Sequence, residues 1–443
     1  MRDHSSRSRP TAWFAGVVMC LGTLIGQVSV AQGQTNQDPQ AVQIQAALAP
    51  TDAAQQPQTL PGLLPEPHFL GAVMDRLANA FGGANAPKDG FHPTFFSDDV
   101  PGAGLITIGA GYRRHFWDGQ VALDLSTAVS QREYTSSVAR VELPHLVDDH
   151  FVMGAEVLAQ DWTQAIYFGV GPTSLEANRS QYQLRASDIF AYASVHSRSA
   201  FDLRLRVGEL QPTVSPTAGW FNRGYPELQD LFTDASAPGL TQQPGFWHGD
   251  VSVTVNTLNH PGHPTRGGLI QVTAAEYRDR NLGQFSFQRY EGTVIRYIPV
   301  VAEAWTLAVR GSLVASETEG ANQVPFYFLP SLGGEHALRG YPDFRFHDRD
   351  LAAVNVESRW AVWPHIDVAV FADEGTVAPA LRSFRGANLL SSYGVGLRLH
   401  TRTATVLRVD IGHSSEGWRF LVKTSNALDF STLKHWTSVL PIF

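Results

Sequence analysis

The sequence of 443 residues has one cysteine, Cys20, and few charged side chains. A single cysteine cannot form a disulfide within the chain or a metal site with several thiolate ligands, so both are excluded. Charged residues make up 17% of the chain, compared with roughly 25% in soluble domains. The formal net charge of −8 argues against a nucleic-acid partner, because phosphate backbones attract basic surfaces.

The N-terminus has the composition of a secretory signal peptide. Arg2, Arg7 and Arg9 precede the apolar stretch AWFAGVVMCLGTLIGQVSV, and small residues suited to cleavage follow near Ala31. We therefore assign residues 1–33 to a signal peptide, with an uncleaved anchor helix as the alternative. No later window approaches eighteen uninterrupted apolar residues, so the sequence predicts no further helical membrane span.

The rest of the chain divides into two parts of different composition. Residues 34–87 are rich in Gln, Ala and Pro, and we interpret them as a linker that could include a short amphipathic helix at residues 67–83. From residue 104 onwards apolar and polar residues alternate, as in FDLRLRV (201–207) and LRVDI (407–411). Such period-two segments, separated by Gly, Pro, Asn and Asp, are typical of half-buried antiparallel strands.

These segments favour a membrane barrel over a soluble sandwich. Arg204, Arg206 and Arg408 lie in mid-strand between large apolar residues, as expected where an apolar face meets lipid and charges line a lumen. A sandwich also alternates, but the many strands, the export signal and the low charge favour the barrel. We predict an all-β protein: a transmembrane antiparallel β-barrel at residues 88–430, followed by a C-terminal extension at residues 431–443.

The strand count is close to an even number. Fifteen alternating segments can be counted, and bacterial single-chain barrels have an even number of strands, so about 16 is the nearest closure. The candidates for the missing strand are TQAIYFG (163–169) and VPFYFLP (324–330). Phe430 or Phe443 could supply the aromatic residue that closes the last strand.

Several pieces in the C-terminal part resemble one family. They are Gly333-Gly334 before Leu338-Arg339-Gly340-Tyr341, then VNVESRW (354–360), VAVFADEGTV (368–377) with Phe371 and Gly375, and finally residues 391–401 and 407–424. In this order they resemble the BamA/TamA family of outer-membrane assembly barrels, also called the bacterial surface antigen family. Its best-known members carry periplasmic POTRA domains before the barrel. Here the preceding region is too short and too rich in Gln and Pro for a convincing one.

Side-chain parity predicts partners for Arg339. In residues 366–373, Val368 and Val370 point to one side of the strand and Asp373 to the other. If the valines face lipid, Asp373 faces the lumen, and the same rule places Glu357 there. A loop that folds inwards would bring the Arg339 guanidinium to both carboxylates. The family resemblance also implies that this arginine fixes an inward-folded loop, whereas the alternative is a solvated loop residue.

Other candidate chemistry is weak. GHSSEG (412–417) differs from the hydrolase nucleophile elbow, because its second glycine comes one residue too late, and we interpret it as a β-turn. His336, His347 and His365 lack the spacing of metal ligands on one element. The sequence therefore predicts no enzyme, no cofactor and no metal site.

The resemblance implies a function at the cell outer membrane of a Gram-negative-type bacterium. It implies a barrel that assists insertion or translocation of proteins, with a weak seam between a first strand near Leu105–Tyr112 and a last strand near Trp418–Thr424. Expected partners are outer-membrane lipids, unfolded outer-membrane proteins as clients, or a separate periplasmic protein. The alternative is a passive pore-like or structural barrel, because no POTRA domain is evident to deliver clients.

Overall fold

The computed structural model describes residues 62–65, 67, 71, 74, 89–95, 104, 107–147, 150–196, 200–220, 223–260, 262–335, 337–401, 405–423 and 428. All of them belong to one of the two compact units of the chain, Thr59–Phe443. The predicted signal peptide, most of the linker, Phe430, Phe443 and the C-terminal extension lie outside these residues. Of the predicted short helix at residues 67–83, only Pro67, Gly71 and Met74 are described, and Gly71 and Met74 are helical. No helix within the described part is long and apolar enough to cross a membrane.

Sixteen strands form one antiparallel sheet in which each strand pairs with its neighbours along the chain. The strands of this sheet are β1 (Gly90–Phe95), β2 (Thr107–Phe116), β3 (Val121–Ser130), β4 (Thr135–Leu146), β5 (Phe151–Tyr167), β6 (Ser180–His196), β7 (Phe201–Ser215), β8 (Phe246–Asn256), β9 (Gly267–Asp279), β10 (Phe287–Val301), β11 (Trp305–Thr318), β14 (Asp350–Trp363), β15 (Ile366–Ala378), β16 (Leu390–His400), β17 (Thr405–Ser414) and β18 (Gly417–Lys423). Two further strands, β12 (Ser331–Leu332) and β13 (Phe346–His347), pair with each other between β11 and β14.

Within the described residues Gly71 and Met74 are helical, and the other helical pieces are short and lie in the connections between strands. They are a single turn of α-helix, Leu228–Leu231, and the 3₁₀ turns Glu176–Asn178, Phe326–Phe328, Leu381–Ser383 and Gly386–Asn388. The fold is thus the predicted all-β architecture.

The two faces of the sheet differ in the way that a transmembrane barrel requires. On β14 and β15 the outer face carries exposed valines, among them Val354 and Val370, which are 50% and 41% exposed. The opposite face of the same strands carries Asn355, Glu357 and Asp373, all of which are buried. Apolar side chains on the outside and polar side chains on the inside are the pattern of a barrel in lipid. The predicted barrel of about 16 strands is confirmed.

The missing strand lies where the sequence analysis did not place it. The first strand is β1, six residues long, which pairs with β2 so that Gly90 faces Arg113 and Phe95 faces Ile108. The prediction that the first strand lies near Leu105–Tyr112 is therefore wrong, since residues 107–112 of that segment belong to the second strand. β1 escapes pattern analysis because it is short and includes Pro93, a residue that strands tolerate mainly at a sheet edge.

Both segments proposed as the missing strand belong to other structures. Residues 163–167 continue β5, which runs for 17 residues. Residues 326–328 form a 3₁₀ turn whose three aromatic side chains are buried. Their apolar character reflects packing inside the barrel rather than a place in its wall.

The two ends of the barrel have different connections. At one end, called the turn end, only residues 364 and 365 separate β14 from β15. At the other end, called the loop end, residues 216–245 connect β7 to β8 and residues 319–349 connect β11 to β14. Most of the connecting chain that could enter the lumen therefore starts from the loop end.

An aromatic cluster fills the interior at the loop end. Its side chains come from the β7–β8 connection, the Phe326–Phe328 turn and the inner faces of several strands. Among its members are Tyr167, Tyr182, Leu228, Phe232, Leu240, Phe246, Tyr277, Phe287, Phe326, Tyr327 and Phe328. Edge-to-face contacts at 5.0–5.4 Å between ring centroids tie the turn to the wall, for example Tyr182 with Phe326 and Phe246 with Phe328.

Candidate functional site

A glycine-rich loop lies between β12 and β13 and packs against the inner face of the barrel. We call residues 333–345 the Arg339 loop. Gly333 and Gly334 have φ values of +119° and +80°, which favour glycine. A Cβ atom at Gly333 would collide with the carbonyl oxygen of Pro342, and one at Gly334 with the Asp343 side chain. The Gly334 N–H donates to the Tyr341 carbonyl at 3.0 Å, which closes the loop.

The structure brings Arg339 together with both carboxylates that side-chain parity indicated. Nε of Arg339 donates to Oδ2 of Asp373 at 2.9 Å, and Nη2 donates to Oδ1 at 2.7 Å. The backbone N–H of Arg339 donates to the same Oδ2 at 3.1 Å. Nη1 forms a short ion pair with Glu357. Arg339 is only 1% exposed and both carboxylates are fully buried, so this is a desolvated, bidentate clamp.

The clamp is part of a larger network that the sequence analysis did not include. Glu357 also accepts hydrogen bonds from Nε of Arg359 at 2.6 Å and from Nη2 of Arg398 at 2.9 Å. Arg398 in turn donates to Oδ1 of Asp410 at 2.6 Å. Side-chain parity predicts that Asn355, Glu357 and Arg359 all face the lumen, and the structure places Arg359 there beside Glu357. The approach of Arg398 depends on the register between strands, which the sequence does not reveal.

Neutral side chains complete the surroundings of Asp373. Asn355 donates from Nδ2 to Oδ1 of Asp373 at 2.8 Å and to the Ala337 carbonyl at 2.6 Å. The Ser392 hydroxyl donates to Oδ2 at 3.3 Å. Asp373 thus has hydrogen-bond donors besides Arg339, but no other cation lies within ion-pair distance of it among the residues described. Arg310 also acts electrostatically on Asp373, but from farther away, through Asn355, so Arg339 is the cation in direct contact with this carboxylate.

Burial and charge act in opposite directions on Arg339. Burial alone would lower the pKa of its guanidinium, but the negative charges of Asp373 and Glu357 outweigh burial and raise that pKa above the ordinary value. The arginine therefore stays ionised inside the barrel, as its role in an ion pair requires.

Phe371 of the strand motif contacts the clamp directly. The Arg339 guanidinium lies 3.6 Å from the centroid of the Phe371 ring, a cation–π contact.

Two close approaches explain the remaining glycines of the motifs. A Cβ at Gly340 would lie 2.7 Å from Cβ of Ser392, and one at Gly375 would lie 3.0 Å from Cδ1 of Leu332. Glycine at these positions lets the loop backbone and the β12 side chain lie directly on the wall.

The apolar residues of the loop form a second anchor. Leu338 and Tyr341 are buried in a cluster with Leu332, Phe346 and Leu351. The rings of Tyr341 and Phe346 meet edge to face with centroids 5.2 Å apart. The LRGY motif therefore combines two buried ion pairs of Arg339 with apolar packing on both sides of it.

The GHSSEG stretch holds the loop at its far side. It forms the tight turn between β17 and β18. The Ser414 hydroxyl donates to the Gly340 carbonyl at 2.9 Å, and Oγ of Ser415 lies 3.0 Å from the Tyr341 hydroxyl. Glu416 accepts from Nε of Arg345 at 2.8 Å. These contacts fasten the β17–β18 turn to the Arg339 loop.

Two of the histidines weighed as metal ligands, His347 and His365, lie at opposite ends of the barrel. His347 is buried at the loop end, where its ring lies 5.1 Å from that of Tyr167. His365 lies in the β14–β15 turn at the other end, where its carbonyl accepts the His400 N–H. His336 lies outside the described residues.

Comparison with known proteins places this architecture in a family. Residues 163–415 match the Omp85 superfamily domain. The structure is similar to BamA from Haemophilus ducreyi lacking POTRA domains 1–3, with a TM-score of 0.57 and 15% identity, over 76% of this chain and 70% of that chain. No curated protein matches the chain.

Two CdiB structures are less similar. CdiB from Escherichia coli gives a TM-score of 0.47 and 12% identity over 76% of this chain and 62% of that one. CdiB from Acinetobacter baumannii gives 0.43 and 13% over 76% and 59%. This chain therefore spans less than two thirds of either CdiB structure. The similarity to BamA concerns the fold, whereas the domain match covers more than half of the chain and includes the Arg339 loop with both of its carboxylate partners: the protein is a member of the Omp85 superfamily.

Proposed function

We propose that the protein assists the insertion or translocation of other proteins at the outer membrane, without enzymatic chemistry. Membership of the Omp85 superfamily supports this role at the level of the family. The observation that carries the proposal is the Arg339 loop, which is clamped inside the lumen by buried ion pairs. A loop fixed in this way stiffens the wall from β14 to β17. Opening of the sheet to pair with a strand of a client protein would then take place in another part of the barrel.

The two ends of the sheet are the place for this opening. In the described strands, β1 and β18 each have one hydrogen-bonded neighbour. They are six and seven residues long, whereas the fourteen other strands of the sheet have at least ten residues. A seam between two short strands has few hydrogen bonds to break. Once open, it offers unpaired N–H and C=O groups that can template an incoming strand.

Filling of the lumen argues against a passive pore. The aromatic cluster occupies the loop end, and the clamp network occupies the inner face beside it. We propose that the loop end faces outwards, since outer-membrane barrels have short periplasmic turns and longer outer loops. We also propose that residues 1–33 are removed on export. Clients would be unfolded outer-membrane proteins, delivered directly or by a separate periplasmic partner.

Reconstitution tests this function. Residues 34–443 are inserted into liposomes, and the folding rate of an unfolded client barrel added from outside is measured. We expect acceleration over empty liposomes, its loss in Arg339→Ala, and its retention in Arg382→Ala, a matched change at an exposed arginine of the β15–β16 connection.

The folded state of each variant is checked by its heat-dependent mobility in gels. A folded protein that gives no acceleration would contradict the proposal and favour the passive barrel or dependence on a separate partner. Equal acceleration by both variants would show that the loop clamp is not needed for it.

A further inference from the structure

A group of three potential metal ligands lies at the turn end, away from the Arg339 clamp. It consists of His263, from the connection between β8 and β9, Asp367 near the start of β15, and His400 at the end of β16. All three are buried, and one ligand atom of each lies within 4.8 Å of those of the others. Nε2 of His263 is 3.3 Å from Oδ2 of Asp367, and Nε2 of His400 is 3.2 Å from Oδ1.

The tautomer of His400 leaves a lone pair facing a carboxylate. Nδ1 of His400 lies 3.2 Å from the Thr401 carbonyl oxygen, an acceptor, so Nδ1 donates and carries a proton. In a neutral ring, Nε2 is then an acceptor directed at Oδ1 of Asp367. Two acceptors at this distance need a proton or a cation between them. A histidine that donates its other ring N–H to a carbonyl is also the usual arrangement of a metal ligand.

The two rings approach the carboxylate from the same side. The rings of His263 and His400 stack with centroids 3.5 Å apart and planes 9° apart, and their Nε2 atoms each approach a different oxygen of Asp367. A single divalent ion bound by both nitrogens and by Asp367 would replace the protons that otherwise link these groups.

The spacing fits a tetrahedral ion. With Zn–N and Zn–O distances near 2.0–2.1 Å, the edge of a tetrahedron is about 3.3 Å, close to the two nitrogen–oxygen distances observed here. An ion lies in the plane of each ring that binds it, so two parallel rings cannot both coordinate as they stand. His263 lies outside the sheet, and we expect its ring to turn when the ion binds.

The β8–β9 connection is fastened to the barrel next to His263. The Thr405 hydroxyl donates to the Gly262 carbonyl at 3.0 Å, which fastens the β8–β9 connection to β17 next to His263. Arg359 acts electrostatically on His263 and on Asp367. Its charge is compensated by Glu357, whose Oε1 accepts from Nε at 2.6 Å.

We propose that His263, Asp367 and His400 bind one Zn²⁺ or a similar divalent transition-metal ion. Two histidines and a carboxylate are a ligand set that zinc accepts, with a fourth position left for water or another donor. The ion would cross-link the β8–β9 connection to β15 and β16, which lie beyond β10, β11 and β14 in the sheet order. It would thereby fix a bridge across the turn end of the lumen.

Metal titration of the folded barrel tests this site. Residues 34–443 without a polyhistidine tag are purified in detergent, stripped with chelator and titrated with Co²⁺, whose visible bands report four-coordinate geometry, and then with Zn²⁺ in competition. The variants are His263→Gln, His400→Gln and Asp367→Asn. The control is His115→Gln, which removes a histidine that faces Asp89 but belongs to no three-ligand group among the described residues.

We expect one equivalent of Co²⁺ per chain, displaced by Zn²⁺, in the wild type and in His115→Gln. Affinity should fall roughly 100-fold or more in the site variants, since even outer-sphere changes at metal sites cost about 10- to 100-fold. His263→Gln decides the outcome if a strand variant fails to fold, because its side chain lies outside the sheet. Absence of the bands from the folded wild type, or equal binding by His263→Gln, would overturn the proposal.

Discussion

The direct contact of Asp373 with a single cation gives a sharp prediction. Replacing Arg339 with methionine keeps an apolar stem against Phe371 but removes the only cation within ion-pair distance of Asp373 in the described structure. Glu357 keeps Arg359 and Arg398 as partners. We therefore expect Arg339→Met to lower the free energy of unfolding by about 3–5 kcal/mol, as for other buried pairs that lose one partner. Most of this loss should come from the buried charge of Asp373, which no longer has an ion-pair partner.

A second substitution tests this reasoning. Asp373→Asn removes the stranded charge, so Arg339→Met with Asp373→Asn should be more stable than Arg339→Met alone, with a coupling of about 2–3 kcal/mol. Glu357→Gln should couple less favourably with Arg339→Met, because it deprives two further arginines of a buried carboxylate.

Unfolding in denaturant from detergent micelles, followed by tryptophan fluorescence, measures the free energies of unfolding, and the signal comes from the tryptophans of residues 34–443, which are all those of the chain except Trp13. Protease cleavage of the Arg339 loop in the folded barrel gives an independent readout. If the Arg339→Met and Asp373→Asn double variant is no more stable than Arg339→Met, Asp373 does not depend on Arg339.

Three further predictions concern the loops. Gly334→Ala should destabilise the loop by about 1–3 kcal/mol because φ is positive there, whereas Gly386→Ala, which faces open space, should be neutral in the same protease assay. Burial lowers the pKa of His347 to about 3, so below pH 6.5 the unfolded chain binds a proton that the folded protein does not. The free energy of unfolding should therefore be about 2 kcal/mol lower at pH 5 than above pH 6.5. Burial also raises the pKa of Asp348 to about 6, and this carboxyl stabilises the fold as pH falls. The effect of the histidine is therefore the difference in the free energy of unfolding between wild type and His347→Gln, measured from pH 7 to 5. Equal pH profiles for the two proteins would contradict the prediction. Phe328→Ala should raise ion conductance through planar bilayers, and an unchanged conductance would show that the aromatic cluster is not the barrier.

Long strands of regular alternation could be predicted from the sequence, and the short edge strand could not. Residues 201–207 and 407–411 lie within β7 and β17, where one face meets lipid and the other the lumen. β1 has only six residues with a proline among them, too few for a period to emerge. The apolar run at residues 324–330 reads like a strand because burial in the lumen and burial in a wall require the same residue types.

Parity indicates the face of a side chain but not its neighbours on other strands. That is why Asp373 and Glu357 could be indicated as partners of Arg339, while Arg398 and Asp410 could not be joined to them. The His263 group shows the same limit more strongly. Its members come from three elements more than 30 residues apart, and only the path of the β8–β9 connection brings His263 to the other two.

The clamp also has a consequence for the order of folding. Glu357 and Asp373 lie 18 and 34 residues from Arg339 along the chain, short separations for a barrel of this size. Contacts of short separation form early because they cost little chain entropy. The buried guanidinium, however, has its partners only once β14 and β15 are paired with the loop already between them and the lumen. The Arg339 loop, β14 and β15 would thus assemble together, as one unit of folding.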